Sequence, residues 1–379
     1  MKDTINLYDA TSIDSLTWPS GVEGDYAKKY LTPLIKDGVK HYLKNVDTEL
    51  KVLTIRGMVI PITINDAQYE NSYVCSPYSQ YVSSGLFVIE KMKNKFLRMI
   101  LTSIVKILGL MMRTGKINKV ITVNNWLYTT CPPISIDSDI ARLIKDYLTK
   151  HYPEHAILFR TIDQHTGGPC YDALKSSGFK FIPSRHIYLT QGNDAAIFQT
   201  RVFKSDLKFL KESNCGIIKG QDIPESEISK IQDLYNSLYV DKYSSLSPQF
   251  TKHFIKLALD QQILHMQAIK QNDNLEGVVG HFCQNGVMIS PFFGYDPIKS
   301  EKKGVYRILS TLLMIEAQKE QKVFNQGAGG SFYKKIRRAN GLLEYNAVYS
   351  RHLTFARQLP WWTLGVALKS IGIHFMKKY

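Results

Sequence analysis

The segment Ser300-Glu301-Lys302-Lys303-Gly304-Val305-Tyr306 puts two lysines and a glycine directly before a long stretch with helical apolar spacing. At such a helix start, the free backbone N–H groups and the positive dipole end favour an anion such as a pyrophosphate. A glycine at the turn lets the backbone come close. A plain loop with solvated lysines fits the same residues. Other spacings fail on chemistry. His151 and His155 stand four apart, but Pro153 between them interrupts the helix that a two-histidine zinc site requires. Gly168-Pro169-Cys170-Tyr171 puts a thiol at a helix start without the rest of a cysteine-protease signature. Gly327-Ala328-Gly329-Gly330 is glycine-rich, yet no Lys-Ser or Lys-Thr follows, which excludes a P-loop. Cys75, Cys131, Cys170, Cys215 and Cys283 are dispersed with no CxxC pair, against a disulfide framework and a structural zinc site. A reducing, cytoplasmic setting without a metal is expected.

The charge balance points to an anionic partner. Of a net charge of +15, an excess of eight falls in residues 331–379, where nine basic residues accompany the single acid Glu344. A phosphorylated cofactor, an anionic lipid surface or a nucleic acid would each answer such a field, and so would plain solvent. The N-terminus has no apolar run of a secretory signal. The longest apolar stretch, Phe96 to Met112, is interrupted by Arg98 and Lys106. It reads as a buried or amphipathic helix, since a membrane span needs about 20 mostly apolar residues.

The elements that must position these residues alternate between strand and helix. In the first half, strands are expected at 49–56, 58–64, 119–126, 156–162 and 186–190. Helices are expected from Glu90 to Arg113, from Asp137 or Ser138 to about His151, and from Pro169 to Gly178. In the second half, helices are expected from Pro224 to Tyr239 and from Pro248 to Asp260. A hairpin joins 264–270 to 276–283 through Gln271-Asn272-Asp273-Asn274, and a strand follows at 287–295. A strongly periodic helix, Val305 to Gln321, carries Val305, Ile308, Leu312 and Ile315 on one face. A short strand at 323–326, a helix at 332–339 and a last strand at 342–349 complete the order.

The two halves repeat. Gly167-Gly168 before Tyr171 matches Gly329-Gly330 before Tyr333 at an offset of 162 residues, read from the sequence. A short basic helix, a glycine and a tyrosine-bearing strand follow each pair, and strand, helix and strand precede each, which implies duplication.

The second half resembles the GNAT acyltransferase fold in its element order. Ser331-Phe332-Tyr333-Lys334-Lys335 looks like the FY-x-K turn that opens that family's fourth helix. The doubled arrangement is similar to the FemABX-like branch, with two GNAT domains in one chain. The likeness covers roughly residues 45–352 and is most specific over 276–352. It implies an α/β (α+β) chain of two tandem GNAT-like domains, each a mixed, mostly antiparallel sheet flanked by helices. The limits expected are 1–195 for a first domain without a donor site, 196–352 for a second domain with one, and 353–379 for a basic, aromatic tail.

By that resemblance, the chain transfers an acyl group from acetyl-CoA or a longer acyl-CoA to a small-molecule amine held between the domains. Lys302, Lys303, Gly304, Val305, Tyr306 and Asn325 would hold the donor. Tyr333 would return a proton to the leaving thiolate, with Glu344 or His281 as base. Phe292, Phe293 and Tyr295 would line the acceptor side. The family's donor loop usually carries two small residues in Arg/Gln-x-x-Gly-x-Gly/Ala, where this chain has one glycine. An aminoacyl-tRNA-dependent transferase and a non-catalytic basic binding module are the alternatives. The tail from Pro360, with Trp361, Trp362, Leu364, Val366, Leu368, Ile371, Ile373 and Phe375, completes the second domain's core, docks on an anionic membrane surface at the inner face, or contacts a nucleic acid.

Overall fold

The computed structural model describes residues 4–300, 303–373 and 376. Among them run the strands β1 (Asn6–Tyr8), β2 (Glu49–Ile55), β3 (Met58–Asn65), β4 (Val120–Val123), β5 (Ala156–Ile162), β6 (Lys180–Gln191), β7 (Gly216–Lys219), β8 (His265–Gln271), β9 (Asn274–Gln284), β10 (Val287–Tyr295), β11 (Val323–Asn325) and β12 (Asn340–Tyr349). The chain is mixed α/β, with mostly antiparallel sheet flanked by helices.

It divides into two compact units. One comprises Met1–Ser184, Leu246–Gln249 and Glu344–Lys378, and the other Arg185–Ser245 and Phe250–Leu343. Two of the limits therefore fall inside strands. β6 passes from the first unit to the second after Ser184, and β12 returns to the first at Glu344. The sequence marks domain limits by turns and linkers, so a border within a strand leaves no such signal.

In the first unit the strand order is β1-β2-β3-β4-β5, closed by the Glu344–Tyr349 part of β12 on β5. β4 and β5 pair in parallel. Both are buried along their length and mostly apolar, Arg160 of β5 being the charged exception, as expected where a parallel pair is covered on both faces. The helix Ser138–His151 buries Ile140, Ala141, Ile144 and Leu148, and its start is capped by Asp137, whose carboxylate accepts from Ile140 N at 2.8 Å. The helix expected from Glu90 to Arg113 starts later and runs over Lys95–Thr114, while Glu90 ends a separate helix, Ser84–Glu90. The break falls at the polar run before Asn94, whose side chain caps the second helix by accepting from Leu97 N.

The tail packs on this first unit. In the helix Phe355–Ala367, Trp361 and Leu364 join a core with Met112, Ile117, Val120, Leu158, Ile182 and Val348. Gly115 makes room for it, since a Cβ there would stand 2.2 Å from Pro360 Cγ. The expectation that the tail fills the second domain is corrected to this extent. Phe375, Lys377 and Lys378 lie outside the described residues.

In the second unit the order is β11-β10-β9-β8-β7, with the Arg185–Gln191 part of β6 on β11. Here too a pair, β10 and β11, is parallel. The hairpin turn between β8 and β9 has Asn272 and Asp273 at φ 49° and 60°, residue types that tolerate left-handed backbone. The helix Val305–Glu320 buries Val305, Ile308, Leu309, Leu312 and Leu313 against Ile269, Val279, Met288 and Phe324.

Candidate functional site

In the second unit β10 loses its parallel partner partway along. β10 and β11 are paired over only three positions, the last being Ile289 with Asn325. β11 then gives way to the glycine-rich turn, while β10 continues to Tyr295 after a register shift between Ile289 and Phe292. Two helices begin at this end of the strands, Val305–Glu320 and Ser331–Ile336, each preceded by a left-handed glycine, Gly304 at φ 64° and Gly330 at φ 60°. A Cβ on Gly304 would lie 2.6 Å from the Phe209 ring, so both backbone and space demand glycine there.

A row of aromatic rings lines this region. Tyr306 meets Tyr333 edge-on at 4.8 Å between centroids, Phe293 at 5.6 Å and Tyr295 at 6.2 Å. Phe293 and Tyr295 share a face because strand side chains alternate. Phe292 therefore points the other way, fully buried against Tyr235 and Phe250, and belongs to the core. The buried Tyr333 hydroxyl has no partner at ordinary hydrogen-bond distance, with the Ser310 hydroxyl acting on it only weakly. Burial raises its pKa well above the usual phenol value, while the nearby Arg337 guanidinium pulls it down. Tyr295 is likewise pushed up to about 12, mainly by burial.

Beside the row lies a charged group that sequence reasoning did not find. Asp206, on the helix Arg201–Glu212, accepts from Arg307 Nε at 2.6 Å and from Arg337 Nε and Nη2 at 2.7 and 2.9 Å. Arg337 also lies over the Tyr333 ring, and Arg307 over Phe209. The carboxylate is separated from its partners by more than a hundred residues, so no local pattern announces it.

The glycine-rich turn is held from two sides. Asn325 Oδ1 accepts from Gly327 N at 2.9 Å. The buried Lys334 ammonium donates to the carbonyls of Gln326, Gly327 and Ala328 at 2.7, 3.0 and 3.0 Å. Burial, then Arg185, lowers the Lys334 pKa to about 7, against three carbonyls that favour its charged form. Asn325 and Lys334 thus shape the loop and have their polar atoms turned to it.

The remaining expected residues are placed as follows. Val305 is buried in the core. Lys303 is exposed and its Nζ is 2.8 Å from Glu276 Oε1. Lys302 lies outside the described residues. His281 is buried on β9 opposite His265 of β8, and its pKa is lowered to about 3 by burial, His265 and Lys319. A neutral imidazole of that acidity is a weak base at pH 7. Glu344 falls in the first unit, fully buried, where its charge acts on Tyr81 and Cys131. The second unit thus brings together Gly304, Tyr306, Phe293, Tyr295, Tyr333 and Asn325, with His281 and Phe292 on other parts of its sheet.

The counterpart region of the first unit is filled. Beyond the β4–β5 pairing, Trp126 is buried among Tyr26 and Tyr30, and Asn125 donates to Thr63 Oγ1 and the Val74 carbonyl while accepting from Arg160.

No protein-family model matches the chain, and no curated protein matches its sequence. Solved structures with a similar course of the chain include L-PGS from Bacillus licheniformis, at 10% identity and TM-score 0.45, covering 60% of this chain and 78% of that one. The C-terminal domain of a putative lysylphosphatidylglycerol synthetase from Agrobacterium fabrum is 10% identical with TM-score 0.47, covering 77% and 96%. FemX is 10% identical with TM-score 0.44, covering 59% and 81%. At such identity the functional reading depends on the chain's own residues.

Proposed function

We propose that the chain is an N-acyltransferase whose acyl-CoA donor lies in the opening between β10 and β11 of the second unit. The observation that carries this reading is the Tyr333 hydroxyl, buried with no close hydrogen-bond partner and only a weak influence from Ser310, next to two glycine-led helix starts. A buried polar group left unpaired costs free energy, and such an orphan is expected where a ligand supplies the missing partner. The turn at Gly304 accepts the donor's phosphates by close backbone approach, with Arg307 in the first turn of the helix. Asn325 and Lys334 fix the turn beside the donor's amide chain.

In the reaction a neutral amine attacks the thioester carbonyl. The C–N bond forms, the C–S bond breaks, the Tyr333 hydroxyl protonates the leaving sulfur, and the proton lost by the nitrogen passes through water to restore the Tyr333 phenol. Arg337 over the ring offsets the cost of the phenolate. The first unit takes no donor in this account. Asp137 occupies the helix start that corresponds to Gly304, and a carboxylate there repels a pyrophosphate.

A second reading, an aminoacyl ester of tRNA as donor, draws on the net charge of +15 and on Lys303 being paired with Glu276. A thermal-shift panel separates them, since a ligand that binds the folded state raises the melting point. Acyl-CoAs should raise it; a response to aminoacyl-tRNA alone favours the second reading, and no response to either favours a non-catalytic binding module.

A further inference from the structure

The helix Lys95–Thr114 turns an apolar face to solvent. Of its 20 residues only Gly109 and Met112 are buried. Phe96 is 68% exposed, Met99 60%, Ile104 46%, Ile107 69% and Leu110 66%. Their spacing of three to five residues keeps them on one side of the helix. A surface helix normally shows its polar side to water, so this face is built for something other than water.

Charge says what. From Lys91 to Ile136 the sequence has no Asp or Glu, while Lys91, Lys93, Lys95, Arg98, Lys106 and Arg113 are basic. The neighbouring helix of the same unit, Phe355–Ala367, exposes Trp362 and Val366, and no acid follows Glu344. A second copy of the chain would bring like charges face to face. No described helix is long and apolar enough to cross a membrane. An apolar strip about 20 Å long, flanked by lysines and accompanied by an exposed Trp, fits a helix lying in the plane of a bilayer interface.

We infer that the first unit docks on an anionic lipid bilayer through the Phe96–Leu110 face, with Trp362 beside it. The face would bury its apolar side chains among the acyl chains while its lysines meet lipid phosphates. The site is distinct from the proposed donor site, so catalysis and docking can be tested apart.

The test is flotation of the intact chain with vesicles of phosphatidylglycerol and phosphatidylcholine, against phosphatidylcholine alone. The protein should float with the anionic vesicles only and be released by raised salt. Ile107→Glu and Leu110→Glu should each lower vesicle binding about tenfold or more with an unchanged melting temperature, because both side chains are exposed. Light scattering on the same samples gives the oligomeric state. The inference is overturned if the chain stays unbound, if it floats equally with neutral vesicles, or if both variants float like the wild type. It is also overturned if the chain is a dimer that Ile107→Glu splits, since a second copy then covers the face. Should a variant lose its fold, Lys95→Ala with Lys106→Ala decides by the loss or retention of anionic-vesicle binding.

Discussion

The Arg337 guanidinium lies 3.3 Å from the centroid of the Tyr333 ring, inside normal stacking distance. Its Nη1 also donates to the Tyr333 carbonyl at 3.0 Å, so one arginine fixes both ring and backbone of the proposed proton donor. Tyr333→Phe should lower kcat roughly a hundred- to ten-thousandfold, the range of general-acid contributions. Its melting temperature should stay at or above that of the wild type, because an unpaired buried hydroxyl is removed. Steady-state kinetics with calorimetric melting checks this; unchanged turnover would return Tyr333 to packing.

Asp206 balances two arginines in a nearly buried position. Asp206→Asn leaves Arg337 buried without its counter-charge and should cost about 3–5 kcal/mol. Denaturant unfolding of the variant measures the loss. A cost near zero would mean that water reaches the group freely.

Much of the second unit was legible because its signals are local. The hairpin turn, the left-handed Gly304 and the periodicity of the helix from Val305 each act within a few residues. The same holds for β5, which runs from Ala156 to Ile162 as expected, whereas the β-branched stretch expected at 119–126 forms a strand only over Val120–Val123. What stayed hidden depends on distant partners. Asp206 meets Arg307 and Arg337 only in the fold. Phe292 reads like its neighbour Phe293, and only the sheet's two faces separate them. Glu344 stands ten residues after Lys334 in sequence, yet β12 carries it into the first unit. The helix Lys95–Thr114 is apolar enough to suggest burial, and composition alone does not tell an apolar face in a core from one in solvent.

His281 makes acid destabilise the fold. Its pKa falls from about 6.5 unfolded to about 3 folded. Between these values the unfolded chain holds a proton that the folded one does not, so stability is lost as pH drops through that window. His265 across the strand pair and Lys319 add repulsion in the same direction. His281→Phe should therefore lose less stability than the wild type between pH 7 and pH 4.5, by roughly 2 kcal/mol. Urea unfolding at both pH values checks it, and equal losses in the two proteins would contradict it.

Two adjacent tryptophans should behave oppositely. Trp361 is buried in the first unit's core, while Trp362 is exposed. Trp361→Ala should cost about 3–5 kcal/mol, and Trp362→Ala about 0.5 kcal/mol or less. Unfolding curves of the two variants decide, and similar costs would mean the tail helix packs otherwise.

The central claim, one donor in the second unit's opening, is tested most directly by calorimetric titration of the intact chain with acetyl-CoA. The account predicts one donor per chain. For a folded Gly304→Glu variant it predicts binding weaker by about tenfold or more, since a left-handed turn and a close Phe209 ring admit no side chain. Two donors per chain, or undiminished affinity in that variant, would contradict it.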